Sequence, residues 1–191
     1  MNITTAKRKG RTFLSYEKDE NGKPIIRTDE NGNCVGSETA RRMMINLIDN
    51  TDIVNVSQVK NGNSSNAPFG ENQINLDFSE IEGFIKGVRG GLNPETMGYG
   101  MVFLHEFSHT VLGGSMKDNY EGDNPGDVVN KMNQIRTELN VLGGNYGQRM
   151  AYPCNPIPEG NYIPFDVYSY RRYKEHNDMV PNNGTKFIIF Q

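Results

Sequence analysis

The stretch PETMGYGMVFLHEFSHTVL, residues 94–112, governs how the rest of the chain is read. Pro94 follows Asn93 and suits the first position of a helix. Met101, Val102, Phe103, Leu104, Phe107, Val111 and Leu112 are apolar nearly all the way round, which predicts a buried central helix. That helix carries His105, Glu106 and His109 as HExxH. Residues i and i+4 lie one turn apart on the same face, so both imidazoles could reach one metal ion with Glu106 beside them. Burying two imidazoles and a carboxylate without partners costs about a few kcal/mol per group, and a metal supplies such a partner. The plainer alternative is a pair of core histidines bonded to backbone or carboxylate groups. With three histidines in 191 residues, coincidence is a poor account of the pattern.

Working outward, SETARRMMINLIDN begins with Ser37 as an N-cap and places Ala40, Met43, Met44, Leu47 and Ile48 at helical spacing. DVVNKMNQIRTELNVL repeats that pattern through Val128, Met132, Ile135, Leu139 and Leu142, ending at Gly143. DIVNVSQV and NQINLDF alternate like strands on either side of a loop, with Ile74, Leu76 and Phe78 on one face. The chain between Phe78 and Pro94 reads as irregular. Two NG pairs predict a hairpin-rich N-terminal segment, PCNPIPEGNYIP reads as extended chain, DVYSYRRYKEH as a short helix and KFIIFQ as a terminal strand. No repeat of 20 to 50 residues appears.

Composition sets the limits. A chain of 191 residues fits a single domain with a substantial core. An apolar fraction of 35% with 24 asparagines and 21 glycines predicts short elements and many turns, hence an irregular α+β fold. The net charge of −3 and the lack of a long basic run give no footprint for nucleic acid. No stretch approaches 18 apolar residues, and no apolar run follows the basic residues of MNITTAKRKGRTF, so neither membrane association nor a Sec-type leader is expected. Cys34 and Cys154 allow one disulfide or two thiols, and spacing leaves both open.

A catalytic zinc site usually has three protein ligands and an open position. The metzincin continuation is excluded, because Leu112 stands at the glycine position and Ser115 at that of the third histidine. His176 lies in a polar context that suits a solvated side chain. Asp118, Glu121, Asp123, Asp127 and Glu138 remain. The first four sit in or just beyond a polar loop, where carboxylates are usually solvated, although a lid or calcium role is open to them. Glu138 sits inside a helix that must pack on the first, and a carboxylate so carried can be held rigidly at a metal.

IRTELNVLGG, with Glu138 and Leu139 ahead of Gly143 and Gly144, resembles the segment carrying the glutamate zinc ligand in clostridial neurotoxin light chains. A closer likeness is to the NleD-like effector zinc peptidases of bacteria, which combine HExxH, NxxRxEL and RxxY. Asn133, Arg136, Glu138, Leu139, Arg149 and Tyr152 match that order. Met132 departs from the acidic residue expected before the asparagine, and Asn140 stands where a glycine is common. The likeness covers roughly residues 100–152, with weaker agreement over 40–80.

The resemblance implies a zincin-like α+β metallopeptidase domain with a small mixed or antiparallel sheet, the buried HExxH helix and a second, ligand-bearing helix. A single domain over residues 1–191 is expected, with a catalytic core over about 37–152. One Zn2+ per chain is expected on His105, His109 and Glu138, with Glu106 as general base and Tyr152 and Arg149 stabilising the oxyanion. Asn133 and Arg136 are expected to orient ligands or pack the helix. The function expected is a zinc-dependent endopeptidase acting on protein or peptide substrates, as a monomer. It would be a secreted effector or toxin domain delivered without a Sec signal, or otherwise a cytoplasmic enzyme. The alternative is a non-catalytic, zinc-stabilised interaction module, against which the presence of Glu106 argues. A third reading is a metal-free interaction domain. By analogy with related peptidases, NQINLDF is a candidate sheet edge for receiving substrate as an added strand.

Overall fold

The computed structural model describes residues 1–60, 64–120, 124–152, 155–157, 160–175 and 185–190. Glu121, Asp123, Cys154 and His176 lie outside the described residues. The fold is α+β, with three small sheets among the described residues. Among the described residues there are five α-helices, and no helix is long and apolar enough to cross a membrane.

β1 (Ile3–Arg8) and β2 (Arg11–Tyr16) form an antiparallel hairpin that turns at Lys9 and Gly10. The two NG pairs then close small loops, each built on an aspartate. Asp19 Oδ1 accepts the N–H groups of Asn21 and Lys23, and Asp29 Oδ1 those of Asn31 and Asn33. α1 (Glu38–Asp49) starts on Ser37, whose hydroxyl accepts the Ala40 N–H as the sequence predicts.

β3 (Asn55–Val59) and β4 (Gln73–Asp77) pair in parallel. Ile74 and Leu76 of β4 are buried, but Phe78 has already entered a helix. That helix, α2 (Phe78–Gly87), replaces the irregular chain expected after Phe78. Asp77 caps it by accepting from the Ser79 and Glu80 N–H groups. Its glycines disguise it, since they read as helix breakers, yet a Cβ on Gly87 would lie 1.8 Å from the Ile189 carbonyl oxygen.

β5 (Val88–Arg89) opens the third sheet, whose order is β5-β8-β7-β6, all antiparallel, with β6 (Asn155–Ile157), β7 (Gly160–Pro164) and β8 (Phe187–Phe190). The helix expected from Pro94 onward is broken. Pro94–Met97 is a 3₁₀ turn, Gly98 is extended, and α3 runs Tyr99–His109. α4 (Asp127–Asn140) packs on α3, and α5 (Val167–Glu175) follows β7. Ile74, Ile81, Phe107, Met132, Ile135, Ile163 and Ile188 meet in one core, so α3 is held between α4, α2 and β4.

Candidate metal centre

α3 buries Met101, Val102, Leu104 and Phe107 and brings His105 and His109 to one face at its C-terminal end. Their Nε2 atoms are 3.3 Å apart. The chain then reverses. Thr110 Oγ1 donates to the Phe107 carbonyl and accepts the Gly113 N–H, and the Met116 N–H donates to the Ser108 carbonyl. This reversal requires glycine at 113, because a Cβ there would stand 1.7 Å from the Phe107 carbonyl oxygen. Past it, Asp118 pairs with Gly126 in an isolated antiparallel bridge just ahead of α4. Gly126 has φ 87°, and a Cβ on it would meet the Asn119 nitrogen at 2.5 Å.

The result is a carboxylate folded back onto both imidazoles. Asp118 Oδ2 lies 3.0 Å from His109 Nε2 and 3.5 Å from His105 Nε2, and its side chain is only 4% exposed. Its other oxygen, Oδ1, is buried with no hydrogen-bond partner among the described residues. His109 Nδ1 donates to the Met116 carbonyl at 2.8 Å, which leaves a lone pair on Nε2 facing the carboxylate. Two such electron-rich atoms at 3.0 Å need a positive charge between them, a proton or a metal ion. His105, His109 and Asp118 form a group that could hold a metal ion. Burial lowers the His105 pKa. Burial also works to raise that of Asp118, but the two imidazoles outweigh it and hold the carboxyl well below its ordinary range.

Glu138 is not part of this group, and the expectation that it completes the ligand set is corrected. Ser37 Oγ donates to its Oε2 at 2.5 Å, and the Thr39 N–H and Oγ1 donate at 3.0 and 2.6 Å. It therefore ties α4 to the N-terminus of α1, where a negative charge is favoured. The reason is helix geometry. Residues two apart are rotated by about 200°, so a helix that turns Arg136 inward turns Glu138 away.

Glu106 faces a cavity of about 510 Å3 that His105, Arg136, Arg149 and Tyr152 also line. Glu106 is 7% exposed, accepts a hydrogen bond from the Ala67 backbone, and burial pushes its carboxyl up to about 8. The Tyr152 ring lies parallel to that of His105, with centroids 6.1 Å apart. Burial, then a hydrogen bond with Tyr120, raises the Tyr152 pKa, so the phenol keeps its proton. Arg149 donates through Nε to the Ala151 carbonyl at 3.0 Å and through Nη2 to the Tyr152 carbonyl, with its guanidinium 4.9 Å from the Tyr152 ring centroid. Asn133 fixes the Arg149 backbone, donating to its carbonyl at 2.8 Å and accepting its N–H at 2.9 Å.

The structure thus gathers His105, Glu106, Arg149 and Tyr152 around one cavity and leaves Glu138 outside it. Asn161, Ile163 and Phe190 also line that cavity, so its wall extends beyond residues 37–152. On the side opposite β3, β4 is bridged at its middle residue, where Asn75 exchanges backbone hydrogen bonds with Asn66. Asp127 opens α4 and does not belong to the histidine–aspartate group; Cys34 is exposed. Asp118 is the residue that loop composition hid. Its signal was the Gly113-Gly114 pair four residues beyond His109, which permits the chain to return. No protein-family model matches the chain, and neither does any curated protein or solved structure.

Proposed function

We propose that this protein is a zinc-dependent peptidase whose metal is held by His105, His109 and Asp118. One observation carries the reading. The three ligand atoms are 3.0, 3.3 and 3.5 Å apart. An ion bound tetrahedrally at about 2.0–2.1 Å requires ligand separations of about 3.3–3.4 Å, so the donors already stand near zinc spacing. Two imidazoles and one carboxylate also leave a fourth position open for a water.

Zinc bound there supplies a Lewis acid that polarises a carbonyl and lowers the pKa of water. Glu106, the next residue after His105, takes the proton from the attacking water and passes it to the departing amine. The Tyr152 hydroxyl donates to the oxygen that gains charge as the carbonyl becomes tetrahedral. Arg149 positions that tyrosine by holding the carbonyls of residues 151 and 152 and lying over its ring. The NleD-like motif order supports the peptidase class, with the metal-binding carboxylate moved from Glu138 to Asp118.

The test compares zinc-reconstituted wild type with Glu106→Gln on a mixture of peptides, with zinc content measured in both. Wild type should cleave, and the variant should keep its zinc while losing at least about a hundredfold in rate. Equal rates would remove Glu106 as the base, and no cleavage by zinc-loaded wild type would count against the peptidase reading.

A further inference from the structure

Arg136 is 2% exposed and lines the cavity, yet no carboxylate pairs with it among the described residues. Its hydrogen bonds go to neutral oxygens. Nε and Nη2 donate to the Thr96 carbonyl at 3.1 and 3.0 Å, and Nη1 donates to Asn133 Oδ1 at 2.9 Å. A guanidinium has five N–H groups, so one remains on each terminal nitrogen. A second cation, Arg149, lines the same cavity. Glu80 and Glu106 also line it, but Glu80 accepts the Ser65 N–H and Glu106 lies beside the histidines.

A buried cation without a counter-ion is costly to keep, whereas one that binds an anion offsets that cost. The surroundings also favour a fixed fork over a mobile side chain. Phe165 lies under the guanidinium with its ring centroid 5.2 Å from Cζ, and the contacts to Thr96 and Asn133 hold the plane. Met97, Met101, Val102 and Met132 line the same cavity as Arg136 and His105, and such side chains suit an aliphatic stem. A ligand that fills this space has an apolar middle and a carboxylate end.

We infer that Arg136 is a specificity residue that receives a carboxylate of the substrate, so that cleavage occurs beside an acidic side chain or near a free C-terminus. This rests on the peptidase reading above. The remaining N–H on each terminal nitrogen provides the charge-assisted hydrogen bonds, and two parallel bonds are the pairing by which arginine selects carboxylates.

The test uses the zinc-loaded full chain and three short peptide hydroxamates, in which the hydroxamate addresses the metal. One carries glutamate with an amidated C-terminus, one glutamine with an amidated C-terminus, and one glutamine with a free C-terminus. Binding is measured by calorimetry. The glutamate or the free-carboxylate probe should bind about thirtyfold or more tightly than the neutral one, and which of the two does so identifies the source of the carboxylate. The preference should vanish in Arg136→Met and fall in Arg136→Lys, which keeps the charge without the fork. Equal binding of all three probes to wild type overturns the inference, even if Arg136→Met fails to fold. So does a preference that survives in a folded Arg136→Met. Zinc content and binding of the neutral hydroxamate report on the metal-site reading separately, so a neutral probe that binds without any carboxylate preference rejects the Arg136 inference alone.

Discussion

The competing carboxylates Asp118 and Glu138 make opposite predictions for metal and for stability. In the proposed site, Asp118→Ala removes one of three protein ligands. Structural zinc sites with four ligands have apparent binding free energies of about 10–16 kcal/mol, which is about 2.5–4 kcal/mol per ligand, so affinity should fall by two to three orders of magnitude. Glu138→Gln should leave affinity within a factor of a few, because its carboxylate is bonded to Ser37 and Thr39 on α1. Its cost falls on the fold instead. Loss of charge-assisted bonds at a helix N-terminus should remove about 1–2 kcal/mol, or about 3–6 °C in Tm for a chain of this size. The pH dependence follows. Burial works to raise the Glu138 pKa, but the Ser37, Thr39 and Gln134 donors outweigh it and hold the folded carboxyl below its ordinary range. A carboxyl depressed on folding contributes stability that is present above the unfolded pKa and is lost as pH falls through the folded one. The Tm gap between wild type and Glu138→Gln should therefore close in acid, as pH falls below the ordinary glutamate range. Chelator competition with elemental analysis gives the affinities, and thermal melts of the metal-free proteins give the stabilities. Tight zinc binding by Asp118→Ala, together with its loss in Glu138→Gln, would refute the ligand assignment.

Tyr152→Phe should retain zinc and lower the cleavage rate by about a hundredfold or more, as expected for loss of one oxyanion donor; an unchanged rate in a peptide assay would remove that role. Gly113→Ala should weaken zinc binding and lower Tm, because its Cβ would sit 1.7 Å from the Phe107 carbonyl oxygen and the reversal that returns Asp118 could not close. A Gly113→Ala protein with wild-type zinc affinity would show that the turn does not set the position of the third ligand.

How far the sequence could be read depended on whether a signal was local. α1 and α4 were legible because capping and apolar spacing act within a few residues, and Ser37 does accept the Ala40 N–H. α2 was not, because Gly83 and Gly87 weaken its local signal, while the β8 backbone that demands Gly87 lies about a hundred residues away. The two histidines and Glu106 were legible for the same reason as α1, since their geometry is fixed by one helix. Asp118 depends on a chain reversal, a bridge to Gly126 and burial beneath two imidazoles, none of which composition encodes.

The motif on α4 nevertheless contained the correction. Asn133 and Arg136 are three residues apart and share a face, while Glu138 is about 200° round from Arg136. Arg136 is almost fully buried and bonded to the Thr96 carbonyl in the 3₁₀ turn ahead of α3, and Asn133 joins it to Arg149. Once that face packs toward the cavity, Glu138 must look elsewhere, and the hydroxyls of Ser37 and Thr39 receive it. A single helix therefore serves two purposes, presenting a guanidinium to the cavity on one side and anchoring α1 on the other. In the proposed zinc site the third ligand, Asp118, comes instead from the segment between α3 and α4, which begins directly after His109.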